Sequence, residues 1–146
     1  MKVSVPLLVA FLGLVLGQTR IGAAETVWSG LVIAENVPQP AAMPTELAPI
    51  QQTLKHFFGY NQFQVIGQSS KTLKTGEEDW LAASKYFSLQ VDARGQTPAG
   101  YELNLKLWKE KEVLLETETK LSKRSPLVIK GPQVGGGQLL LVLVVQ

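Results

Sequence analysis

From Tyr60 onward the chain alternates between apolar and polar residues. Phe63 and Val65 flank Gln64; Phe87, Leu89 and Val91 are separated by Ser88 and Gln90; Tyr101, Leu103, Leu105 and Leu107 are separated by Glu102, Asn104 and Lys106. Successive side chains of a strand point to opposite faces, so each run predicts a strand with one buried and one wet face. Val113, Leu115, Thr117, Thr119 and Leu121 continue on one parity, and the charged reversal Lys109-Glu110-Lys111-Glu112 before them predicts a hairpin. Leu127-Val128-Ile129 is a further short strand. The final run, Leu139 to Val145, is too short to span a bilayer as a helix, which takes about 20 residues. It predicts a strand covered on both faces, central in its sheet.

Ahead of the alternation the period is different. Leu47, Ile50, Leu54, Phe57 and Phe58 recur at spacings of three and four, the mark of a helix with one apolar face. Thr45 is placed to cap its start, Glu46 suits the positive end of the helix dipole, Pro49 still falls in the first turns, and Gly59 suits its end. Val27-Trp28 and Leu31-Val32-Ile33-Ala34 predict a first strand, joined to the helix through Asn36–Pro44, where Pro38, Pro40 and Pro44 forbid regular structure. Asp92–Gly100 reads as an exposed loop, and Gly135-Gly136-Gly137 as a turn. The expected fold is α+β: a two-layer sandwich of one main helix, about 45–58, on a mostly antiparallel sheet of five to seven strands.

The first 24 residues stand apart. Lys2, an apolar run from Val3 to Gly17, and the small residues Gly22-Ala23-Ala24 follow the order of a cleavable secretory signal, with the cut expected between Ala24 and Glu25. The mature part, 25–146, fits one domain with no further membrane span. Lys2 and Arg20 leave with the signal, so the 14 basic residues fall to 12 against 12 acidic ones. A balanced surface disfavours nucleic acid as the ligand. The absence of cysteine removes disulfides from an exported domain, which points to the bacterial envelope, most of all the periplasm.

The chemical inventory is sparse. With one histidine and no cysteine, thiol catalysis and His/Cys metal clusters are excluded, and no metal or cofactor is expected. His56, within the predicted helix, reads as a surface residue. No Gly-x-Ser-x-Gly occurs. Glu77-Glu78-Asp79 lacks the alternate spacing and glycine of a calcium loop and reads as a solvated turn. Gly131–Gly137 is glycine-rich, but it opens onto a strand instead of the helix that a phosphate loop requires. Three tryptophans remain: Trp28 is expected in the core, whereas Trp108 has the parity opposite to Leu103, Leu105 and Leu107 and should be partly exposed. Trp80, Tyr86 and Trp108 are therefore the candidate binding residues.

The run Leu54–Gly67, with Phe58-Gly59-Tyr60-Asn61-Gln62-Phe63, resembles a segment of uncharacterised small exported bacterial proteins. The ending Val128-Ile129-Lys130-Gly131-Pro132, glycines, then an apolar strand is similar to theirs. That resemblance implies a signal, a helix and an antiparallel sheet, and carries no activity to transfer. At the level of fold alone the order also resembles the small α+β domains at the periplasmic end of secretin channels. The functional expectation is a non-enzymatic exported protein, an interaction or structural module within an envelope or secretion assembly, whose partner is another envelope protein or a second copy of itself. A small-ligand or glycan binder comes second and a carboxylate hydrolase third.

Overall fold

The computed structural model describes residues 25–146; the expected signal and its cut after Ala24, like the side chain of Phe57, lie outside the described residues. Among the described residues eight strands form: β1 (Val27–Glu35), β2 (Gln62–Lys71), β3 (Glu78–Ala83), β4 (Phe87–Thr97), β5 (Gly100–Lys109), β6 (Glu112–Ser122), β7 (Leu127–Val134) and β8 (Gly137–Val145). A 3-10 turn, Thr45–Ile50, leads into one short helix, α1 (Gln51–Phe58).

The strands make two four-stranded sheets, β2-β1-β8-β7 and β3-β4-β5-β6, with every pairing antiparallel. This corrects the expectation of one sheet under a helix. Within each sheet the sequential strands pair, β8 returns to pair with β1, and the chain crosses from one sheet to the other between β2 and β3 and again between β6 and β7. The physical reason is area. The apolar faces of β4, β5 and β6 need a cover, and an eight-residue helix cannot supply it. A second sheet can.

Two cores result. Leu31, Leu139, Leu141 and Leu143 of the first sheet meet Leu89, Val91, Leu103, Leu105, Leu107 and Leu121 of the second. On the outside of the first sheet, Trp28, Val32, Phe63, Leu140 and Val142 pack on Leu47, Ile50 and Leu54. β8 thus sends odd-numbered residues to one core and even-numbered ones to the other, and it lies between β1 and β7, as its unbroken apolar run predicts.

Three local readings change. The segment 45–58 is not one helix capped by Thr45: Pro44 precedes a 3-10 turn, and α1 begins only after Pro49, whose ring and missing N–H do not suit an α-helical interior. Gly59 does end α1, in the left-handed conformation (φ 69°), donating its N–H to the Lys55 carbonyl at 3.3 Å. Asp92–Thr97 is strand rather than loop, carried past a bulge between Ala93 and Gly95 to a two-residue turn at Pro98-Ala99. Glu78 and Asp79 lie in β3, an edge strand too short to show a period.

Glycine and a buried amide adjust the remaining joints. β7 continues through Gly131-Pro132, where its ladder with β8 is irregular because proline has no N–H to give. The buried Gln138 amide fills the gap: its Nε2 donates to the carbonyls of Gly131, Pro132 and Leu139.

Candidate functional site: the outer face of the second sheet

Alternation decides what this face carries. In β4 and β5 the odd-numbered residues Leu89, Val91, Leu103, Leu105 and Leu107 fill the core, so Ser88, Gln90, Asp92, Glu102, Asn104, Lys106 and Trp108 point outward. Register assembles them into rows across the sheet. Ser88, Trp108 and Val113 form one; Trp80, Gln90, Lys106 and Glu116 the next; Glu78, Asp92, Asn104 and Glu118 the third.

The first two rows carry an aromatic patch. Trp80 of β3 and Trp108 of β5 meet across β4, with ring centroids 6.3 Å apart and planes inclined at 58°. Gln90, on the strand between them, accepts a hydrogen bond from Trp108 Nε1 at 3.0 Å and fixes that ring. Tyr86 stands in the β3–β4 connection with Lys85 Nζ 5.3 Å from its ring centroid, and its carbonyl accepts the N–H of Glu110 at 3.1 Å. That bond ties the β3–β4 connection to the β5–β6 turn. Among the described residues, the large apolar side chains left exposed are Trp80 (49%), Tyr86 (51%), Val113 (39%) and Leu114 (38%). All four lie at this one end of the second sheet. The corresponding outer face of the first sheet is covered by the 3-10 turn and α1.

The structure therefore brings together the three residues singled out from sequence: Trp80 and Trp108 in contact, Tyr86 at the same end. Trp108 is half-buried, as its parity requires. Trp28 is buried, its Nε1 donating to Gln68 at 3.0 Å, while Gln68 in turn donates to Glu46 at 2.8 Å and links the 3-10 turn to the sheet. The Gln68 amide and the turn's own backbone hold the Glu46 carboxyl below its ordinary value.

The third row holds what sequence reasoning missed. Asn104 is 4% exposed although it lies on the outer face, because Glu116 and Glu118 fold over it. Its Nδ2 donates to Glu118 Oε2 at 2.7 Å and to Glu116 Oε2 at 3.2 Å. One neutral amide thus holds two carboxylates together. Arg94 takes part of that charge, with Nε 2.8 Å from Asp92 Oδ2 and a terminal nitrogen 3.6 Å from Glu118 Oε2. Hydrogen bonding to Asp92, then the charge of Glu118, holds its proton more firmly than usual. The signal available in the sequence was the i, i+2 pair Glu116/Glu118 opposite a polar residue in an otherwise leucine-rich strand.

The remaining candidates are dispersed. His56 is exposed on α1, on the far side of the first sheet from Trp80 and Trp108. Glu78 and Asp79 point to opposite faces of β3, and Asp79 pairs with Lys71 of β2 at 3.2 Å. The glycine-rich segment 131–137 supplies the end of β7 and its turn into β8, and Gly135 takes the left-handed conformation there (φ 58°). Among the described residues no helix is long and apolar enough to cross a membrane. No family model, curated protein or solved structure matches this chain.

Proposed function

We propose that this domain is a non-catalytic, exported interaction module, and that the outer face of its second sheet is where a protein partner docks. The observation that carries the reading is the collection of Trp80, Tyr86, Val113 and Leu114, all exposed among the described residues, at one end of the second sheet. Tryptophan and tyrosine dominate the energetics of protein contacts because each buries a large area at little entropic cost. The ordered interior supports the same reading. Leucines fill the space between the sheets, so a ligand has to be met on the surface.

The test is an in-cell crosslink and pull-down of the tagged full chain beside its Trp80→Ala and Tyr86→Ala variants. A stoichiometric envelope partner lost in both variants supports docking here. A partner retained by both removes this face from consideration, and a solitary monomer under every condition removes the module reading.

A glycan is the second reading, favoured by the exposed Trp80 ring beside the Gln90 amide, which together offer a stacking surface and a polar neighbour. The 58° inclination of the two rings counts against it, since they form no single platform. Unchanged tryptophan fluorescence across a polysaccharide panel would retire it. Carboxylate hydrolysis asks for two acids facing each other across a cleft, whereas Glu116 and Glu118, the acids that one amide joins, stand exposed on one sheet face.

A further inference from the structure

We infer that the segment received by this face is an arginine-bearing stretch of polypeptide, its guanidinium groups seated between the tryptophans and the Glu116/Glu118 pair. This inference rests on the docking reading above and names the chemistry of the partner.

Three observations point the same way. Glu116 and Glu118 are exposed carboxylates drawn together by Asn104, and like charges held at one amide favour a cation arriving from the solvent side. The protein already answers half of that demand itself: Arg94 bridges Asp92 and Glu118. Glu116 makes no ion pair with a described residue, even though Lys106 is its register partner on β5. Finally, Glu116 stands one row on from Trp108 on the neighbouring strand, past the bulge that sets Val113 opposite Trp108. A guanidinium laid on an indole face there can turn its fork toward Glu116, combining cation–π attraction with a charge-assisted hydrogen bond. Arginine suits this site better than lysine because its planar head stacks and bridges at once.

Across the outward positions of the four strands, the acids Glu78, Asp92, Glu102, Glu116 and Glu118 outnumber Arg94, Lys106 and Lys120. The mature domain as a whole is expected to balance, so the acidic excess is a property of this face. An arriving basic segment meets a favourable field before it meets the tryptophans.

The experiment titrates the mature domain with an oligo-arginine peptide, an oligo-lysine peptide and an oligo-glutamate peptide, reading tryptophan fluorescence. The expected order is arginine over lysine, with no response to glutamate and weakening as salt rises. Glu116→Gln/Glu118→Gln, which keeps hydrogen-bonding side chains in place, should weaken the arginine peptide roughly three- to tenfold, and Trp80→Ala by a similar factor, whereas Glu35→Gln on the first sheet should not. Equal response to arginine and glutamate peptides, or full affinity in the double glutamine variant, overturns the inference. The same variants in the crosslinking experiment separate the two ideas. Capture lost with Trp80→Ala but intact in the glutamine variant leaves the docking face standing and discards the basic partner; capture intact with Trp80→Ala and Tyr86→Ala discards the face itself.

Discussion

Gly67 of β2 lies against the backbone of Ala83 in β3, so close that a Cβ on Gly67 would overlap the Ala83 carbonyl group. This contact joins the two sheets along one edge, beside the Lys71–Asp79 ion pair on the same strands. Only glycine permits it, through the absence of a side chain.

Gly67→Ala should therefore cost about 2–3 kcal/mol, since the neighbour is backbone and cannot rotate away. Gly95→Ala is the control: a Cβ there would meet Glu102 no nearer than 3.5 Å, an ordinary contact. Urea unfolding of the two variants checks the contrast, and equal stabilities would contradict the close approach.

The exposed tryptophan should be thermodynamically cheap to lose. Trp80→Ala is expected to change stability by less than about 0.5 kcal/mol, whereas Leu105→Ala in the inter-sheet core should cost about 2–5 kcal/mol. Acrylamide should quench the emission of Trp80 much more than that of buried Trp28, so Trp80→Phe removes the most quenchable component. A quenching curve that does not change would place Trp80 inside the protein.

Asn104 is the neutral spacer between two carboxylates. Asn104→Asp replaces its donor with a third negative charge and should destabilise the domain by about 1–3 kcal/mol at neutral pH. The deficit should shrink in acid as carboxylates take up protons. Thermal melts of both proteins at neutral and acid pH measure it, and a constant deficit would contradict an electrostatic origin.

Alkaline pH should loosen the end of the domain where Glu25 meets β5. Lys123 Nζ lies 2.9 Å from Glu25 Oε1 and Tyr101 Oη lies 3.4 Å from the same oxygen. Hydrogen bonding to Glu25 raises Lys123 above its ordinary 10.5, and burial, then the Glu25 charge, raises Tyr101 above 10.0. Both groups hold their protons more tightly folded than unfolded. Their contribution is complete below those ordinary values and is lost as pH rises through the raised ones. Unfolding midpoints should thus fall above about pH 10, and Tyr101→Phe with Lys123→Met should flatten that fall.

The amino-acid sequence by itself determined which face of each strand is buried. The leucines at 103, 105 and 107, the two-sided run 139–145, the Gly59 stop and the outward Trp108 are all local, because side-chain direction follows from a period of two or a left-handed cap. Local pattern also singled out Trp80, Tyr86 and Trp108 as candidates for contact with a partner. It could not decide which strands share a sheet: alternation states that a face must be covered and leaves the cover open, whether helix, second sheet or another chain. Tertiary structure settled that by setting β4–β6 against β1 and β8, which left the short helix for the opposite side of the first sheet. The same folding set Trp80 beside Trp108, 28 positions apart in the chain, and drew Glu116 and Glu118 onto Asn104. Such neighbours arise from strand register, a long-range property fixed by the fit of whole faces and by the exclusion of every side chain from position 67.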